Sequence, residues 1–282
     1  MIKCIGYEDQ FEKIVSNFKS NKLHNSIIIS GPKGIGKRLF INNLLANFLK
    51  IKLNNNLENH INLLNKNAHP NIKILSKIVD NKTNKIKNNI TIDQVRNLKK
   101  FLNETSLYKN LFKVIVVDSA DDFNINSANS FLKTLEEPKS NTFLFLISHK
   151  FSSLLPTIRS RCLNIRFNNH NFDNFSKILN ISIDKIEDSY IKFLYNITNG
   201  SPGNAIDLLN EDIINYFEET LNILNNDNNY NNSIIELADN ISKLENENFK
   251  NYLLVMKSIL ILCIKIKLYN YQISILTSKM YE

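Results

Sequence analysis

The chain has only three cysteines in 282 residues, and Cys4, Cys162 and Cys263 lie too far apart to form a C-x-x-C pair. This excludes a zinc module legible in sequence and gives no disulfide framework, so a reducing compartment is the simplest setting. A secretory leader is not expected, because no apolar core follows Lys3 in the opening Met1-Ile2-Lys3-Cys4-Ile5-Gly6. Long apolar runs are also scarce. The richest late stretch, Tyr252 to Leu268, is broken by Lys257, Lys265 and Lys267 and is too short and charged to cross a bilayer. No internal repeat, helix-turn-helix or zinc finger is present, so base-specific readout of nucleic acid is not expected. No set of carboxylates suits two-metal polymerase chemistry. These absences predict a cytoplasmic protein with no membrane partner.

What is present is ordinary for a globular chain: 43% hydrophobic and 22% charged residues. The net charge of +8 is unevenly spread. From Lys66 to Lys113 there are 11 basic residues against three acids, and from Glu211 to Lys250 nine acids against two lysines. The basic region could meet nucleic acid through phosphate contacts, which are sequence-independent and salt-sensitive. A solvated lysine-rich surface accounts for the same charge equally well.

The most informative stretch is Gly31-Pro32-Lys33-Gly34-Ile35-Gly36-Lys37-Arg38. Its spacing is that of a phosphate-binding loop up to the last position. There a Ser or Thr hydroxyl would hold the Mg²⁺ that bridges nucleotide phosphates. Arg38 has five donors and no lone pair for a metal. Gly31, Gly34, Gly36 and Lys37 are thus candidate cofactor-binding residues for ATP, ADP or phosphate, with no metal ligand beside them.

The surroundings suit such a loop. Ser26 to Ser30 is a short β-branched run, and Leu39, Phe40, Leu44, Leu45 and Phe48 recur at helical spacing after it. Further strands are expected at 72–75, 113–118, 142–148 and 163–167. Thr91-Ile92-Asp93-Gln94 reads as a capping box opening a helix to about Phe101 or Leu102. A helix is expected from Asn126 to Glu137, stopped by Pro138. Alternating strands and helices predict a doubly wound α/β sheet of five parallel strands with its ligand at their carboxyl ends. Strand signals fade after Phe167. Short helices broken at Gly200-Ser201-Pro202-Gly203 follow, then a helical pattern from Glu211 onward.

Asp118 ends its apolar strand as a Walker-B-like carboxylate, a further candidate for the nucleotide site. The next residue, Ser119, is not basic enough to polarise an attacking water. Asp121 and Asp122 lie past the strand end and are weak substitutes. Ser148, ending the fourth strand, could sense a γ-phosphate or simply start a turn.

Three segments carry a specific resemblance. They are Leu23-His24-Asn25-Ser26 running into the glycine loop, Asn129 to Pro138 with Lys133-Thr134-Leu135-Glu136-Glu137, and Thr157-Ile158-Arg159-Ser160-Arg161-Cys162. Together they resemble the delta-prime subunits of the bacterial DNA polymerase III clamp loader, members of the AAA+ superfamily. The likeness covers about the first 205 residues.

The resemblance implies an AAA+ domain over 1–170, a helical lid over 171–210 and a helical oligomerisation collar over 211–282. It implies a largely non-hydrolysing subunit of the polymerase holoenzyme, assembled with tau/gamma motor and delta subunits. Primer-template DNA is the implied partner for sequence-independent contacts, and the sliding clamp an indirect one. Arg161, flanked by Ser160 and Cys162, is implied to act as an arginine finger on ATP held by a neighbouring motor subunit. Pairing of Arg161 with a carboxylate of its own domain is the alternative. Active members carry a lid arginine soon after a Gly-Ser turn, where this chain has Gly203. Many carry a four-cysteine zinc module after the first helix, but residues 51–70 contain no cysteine, so no zinc is expected. Ile259, Leu260 and Leu262 are candidate collar contacts or internal core. The functional alternatives are an autonomous AAA+ ATPase, such as a motor subunit or helicase loader, and a structural DNA-binding protein.

Overall fold

Ile27, Ile28 and Ile29 form an unbroken apolar run between two buried serines, and the strand is covered on both faces. This strand, β1 (Ser26–Ser30), lies between β4 (Thr142–Ser148) and β5 (Leu163–Arg166). With β2 (Ile72–Leu75) and β3 (Lys113–Val117) it forms a five-stranded sheet in the order β2-β3-β4-β1-β5. Every recorded pairing in the sheet is parallel. In register, Ser30 aligns with Ser148, and Val117 with Leu146. The carboxyl ends of the three central strands therefore deliver Gly31, Asp118 and Ser148 to one edge of the sheet. The structure is a computed structural model that describes residues 4–53, 56–79, 86–104, 108, 111–183, 186–210, 220, 230–244 and 248–250, with short pieces between 252 and 264.

Helices cover both faces of the sheet. On one, Ile28, Ile115, Val117, Leu144 and Leu146 form a core with α4 (Ile92–Asn103) and α5 (Ile125–Glu136) through Val95, Leu98, Phe131 and Leu135. On the other lie α1 (Glu8–Lys19) and α2 (Lys37–Lys52). Phe18 of α1 stacks on Phe48 of α2 at 3.8 Å between ring centroids, with Phe112 and Phe143 edge-on to Phe18. Phe18, Phe48 and Phe112 are buried, each contributing about 1.5–3 kcal/mol, and Phe143 is partly buried. The capping box at Thr91 forms as the sequence predicts: Gln94 N–H donates to Thr91 Oγ1 and Thr91 N–H to Gln94 Oε1. Asn124 caps α5 by accepting from Ser127 N–H at 2.8 Å. Short α3 (Leu57–Asn65) and the single turn α6 (Pro156–Arg159) complete this part.

The chain divides into two compact units, one of residues 1–32 and 36–168 and one of residues 33–35 and 169–282. Three residues of the glycine loop thus belong with the later helices. In the second unit α7 (Phe172–Ser182), α8 (Asp188–Thr198) and α9 (Pro202–Asn210) pack through Phe175, Leu179, Ile191, Leu194 and Ala205. Ile197, Leu208 and Tyr252 form a further small cluster, and α10 spans Tyr230–Ser242. Of the candidate collar residues, Leu260 is exposed, whereas Ile259 and Leu262 lie outside the described residues. Among the described residues no helix is long and apolar enough to cross a membrane.

Candidate functional site

The glycine loop turns through left-handed backbone at Gly34 (φ +78°) and Gly36 (φ +88°), which only glycine adopts without strain. Gly31 N–H donates to Ser148 O at 3.1 Å and ties the loop's start to β4. Lys37 opens α2 with only 3% of its surface exposed. Its Nζ donates to Gly31 O at 2.6 Å and also to Pro32 O. Burial lowers its pKa to about 8, against the opposing pull of Asp121 and Asp118. The ammonium that would reach a phosphate is therefore held by carbonyls of its own loop.

Arg38 Nη1 pairs with Asp118 Oδ2 at 3.4 Å. Its Nε donates to Asn42 Oδ1 and its Nη2 to Asn67 Oδ1, both at 3.1 Å. Burial lowers its pKa, and the Asp118 carboxylate counters that shift. The residue expected to supply a metal ligand instead directs a cation at the carboxylate expected to help hold that metal. This donor set does not fit Mg²⁺, which needs oxygen ligands.

Neither candidate acid beyond Ser119 is poised as a base. Asp121 accepts from Ser148 Oγ at 2.9 Å, Ser153 Oγ at 2.8 Å, His149 N–H at 2.5 Å and Lys150 N–H at 3.3 Å. It organises the turn after β4, and Ser148 is spent on it. Asp122 pairs with Lys77 at 3.3 Å.

Residues 33–35 are bonded to the unit they belong with. Lys33 O accepts from Ser201 Oγ at 2.8 Å, Gly34 O from Gly203 N–H at 2.7 Å, and Ile35 O from His170 Nε2 at 3.1 Å. A Cβ on Gly203 would lie 2.7 Å from Gly34 O and 2.9 Å from its Cα. A methyl group at position 203 therefore does not fit without a shift of the Gly34 backbone.

Arg161 follows α6, which Pro156 starts at its first turn. Its Nη2 pairs with Glu136 Oε1 at 2.7 Å, and its Nη1 donates to Thr157 O at 3.0 Å. The pair stays at the surface, with side chains 36% and 45% exposed. The own-domain carboxylate that the sequence left as an alternative is thus Glu136. Ser160 Oγ donates to Thr157 O at 3.2 Å, and Cys162 packs against the core with its thiol pushed up to about 12 by burial. Both flank Arg161 structurally, and a thiol so raised is no nucleophile at neutral pH.

Two further groups carry no signature in sequence. His60 Nδ1 meets His69 Nε2 at 2.9 Å, both rings buried, and His69 Nδ1 accepts from Asn71 N–H at 3.1 Å. Lys113, in the basic stretch, donates its Nζ to Phe101 O and Glu104 O, each at 2.6 Å, capping the carboxyl end of α4. Lys66, Lys73, Arg96 and Lys100 of that stretch are exposed. Among the described residues no cluster of three or more His, Cys, Asp or Glu is arranged to hold a metal.

The chain is 35% identical over 150 residues to DNA polymerase III subunit delta' of Pseudomonas aeruginosa, covering 49% of this chain and 42% of that protein. It is 32% identical over 160 residues to the same-named subunit of Buchnera aphidicola subsp. Acyrthosiphon pisum, covering 54% and 46%. It thus spans less than half the length of these curated relatives. A DNA polymerase III gamma subunit-related protein from Thermotoga maritima superposes with a TM-score of 0.46 at 19% identity, over 86% of this chain and 76% of that one. Residues 6–171 match the family described as DNA polymerase III, delta subunit, and the chain belongs to that family.

Proposed function

We propose that the chain is a delta-prime-type subunit of a clamp-loading AAA+ assembly that hydrolyses little ATP itself and lends Arg161 to ATP bound by a neighbouring motor subunit. Its proposed partners are gamma or tau motor subunits and a delta subunit, with primer-template DNA approached through phosphate contacts of the basic stretch and the sliding clamp engaged indirectly. The proposed setting is the cytoplasm, where chromosome replication takes place.

The observation that carries this reading is the Arg38–Asp118 pair. It puts a guanidinium where a hydrolysing site needs a metal ligand. Lys37 on its loop carbonyls, Asp121 committed to the turn after β4, and Gly203 against Gly34 support it independently. Arg161 lies at the surface, held by a partly exposed ion pair with Glu136 and a hydrogen bond to Thr157 O. A guanidinium brought to a triphosphate neutralises charge on its equatorial oxygens, and such fingers are worth roughly 10³–10⁵ in rate in other phosphoryl-transfer systems.

The test is Mg·ATP turnover by the purified chain alone. The expected rate is that of buffer without protein. Turnover that is readily measured and disappears in Lys37→Ala contradicts the reading and favours an autonomous ATPase.

A further inference from the structure

Arg161 is half-buried at the surface, in an electrostatically chosen place. Glu136 is the last residue of α5, where the helix carries its partial negative charge, and Glu137 caps it. An acid at a helix carboxyl end is unfavourable by itself, and a cation placed there relieves it. The Arg161 guanidinium supplies that cation, with one terminal nitrogen on Glu136 Oε1 and the other on Thr157 O. These terminal nitrogens are the groups a finger presents to phosphate oxygens. In this arrangement both already have an acceptor, and one acceptor is itself an anion.

We propose that Glu136 is a positioning residue that parks Arg161, a carboxylate standing in for phosphate until a triphosphate displaces it. The inference rests on the trans role of Arg161 given above. Because both side chains are partly exposed, the pair is cheap to break, as exposed ion pairs generally are. A triphosphate carries more negative charge than one carboxylate and competes successfully for the same donors. Parking holds part of the Arg161 population away from the triphosphate, which weakens apparent nucleotide affinity by the fraction withheld. Removing the charge of Glu136 then strengthens nucleotide engagement without altering the chemical step.

The test uses an assembly reconstituted with motor subunits, in which ATP turnover is followed against ATP concentration. Glu136→Gln and Glu136→Ala are expected to lower KM for ATP about two- to fivefold, with kcat within twofold of the parent. Glu137→Gln is expected to leave KM unchanged, since Glu137 does not hold the guanidinium. The Glu136 effect disappears when Arg161→Ala is also present. If Arg161→Ala lowers kcat but the Glu136 variants leave KM unchanged or raise it, parking is overturned and the trans role stands. An equal fall in KM from Glu137→Gln also overturns parking, because the effect is then one of general charge. If Arg161→Ala leaves turnover intact, the trans role itself fails and this inference with it.

Discussion

Gly203 N–H donates to the carbonyl of Gly34 at 2.7 Å, and no Cβ fits between the two backbones. Gly203→Ala should therefore destabilise the chain by about 1–3 kcal/mol, the usual cost of overpacking a tight contact. Gly36→Ala is the informative comparison. Nothing lies within 4 Å of its Cβ, so only the left-handed backbone is strained, at about 1–2 kcal/mol. Urea unfolding of the two variants measures both. Equal stability of Gly203→Ala and the parent contradicts the close approach.

Asp121 serves structure, and its removal should show in stability first. Asp121→Ala strands the fully buried Ser148 hydroxyl and takes an acceptor from the His149 N–H and, at the exposed surface, the Lys150 N–H. Each buried group left unpaired costs about 1–3 kcal/mol. Asp121→Asn keeps an acceptor oxygen and should recover part of the loss. Thermal unfolding that is the same for all three proteins contradicts this role.

The His60–His69 pair should make stability fall in acid. Burial lowers the pKa of both rings, and burial together with the neighbouring His60 brings that of His69 to about 4. The folded state thus resists a proton that the unfolded chain accepts near pH 6.5. The contribution is fully present above about pH 6.5 and is lost as pH falls toward about 4. Denaturant midpoints measured across that window should drop for the parent and fall less steeply for His69→Gln. Identical slopes contradict the assignment.

Local patterns in the sequence became local structure. The isoleucines of Ser26–Ser30 and the run Thr142–Ser148 form strands with the bounds they predict, because β-branched and aromatic residues without polar interruption suit a sheet covered on both faces. The capping box at Thr91 needs only residues three apart, and it forms as written. Helix α1 carries no such local signal: Ile14 and Phe18 bury its inner face, but no side chain caps its start. That Arg38 has no lone pair to offer a metal was legible from the residue alone. What Arg38 does instead was not, since Asp118 and Asn67 meet it only after folding. The Glu136 partner of Arg161, the commitment of Asp121 and the histidine pair are all long-range, and residue spacing carries no trace of such meetings. Gly203 itself was visible in the sequence, but its close approach to the Gly34 backbone was not.

In the proposed role the useful cation of this chain is Arg161, and its own loop lysine is idle. The most direct measurement is ATP turnover by a reconstituted loader carrying either Arg161→Ala or Lys37→Ala, with complex size checked by light scattering. Arg161→Ala is expected to leave the complex intact and to silence the one site it serves, where a finger is worth roughly 10³–10⁵, so that the assembly loses that site's share of turnover. Lys37→Ala is expected to leave turnover at the parent's rate. The reverse outcome, turnover lost with Lys37→Ala and kept with Arg161→Ala, contradicts the account.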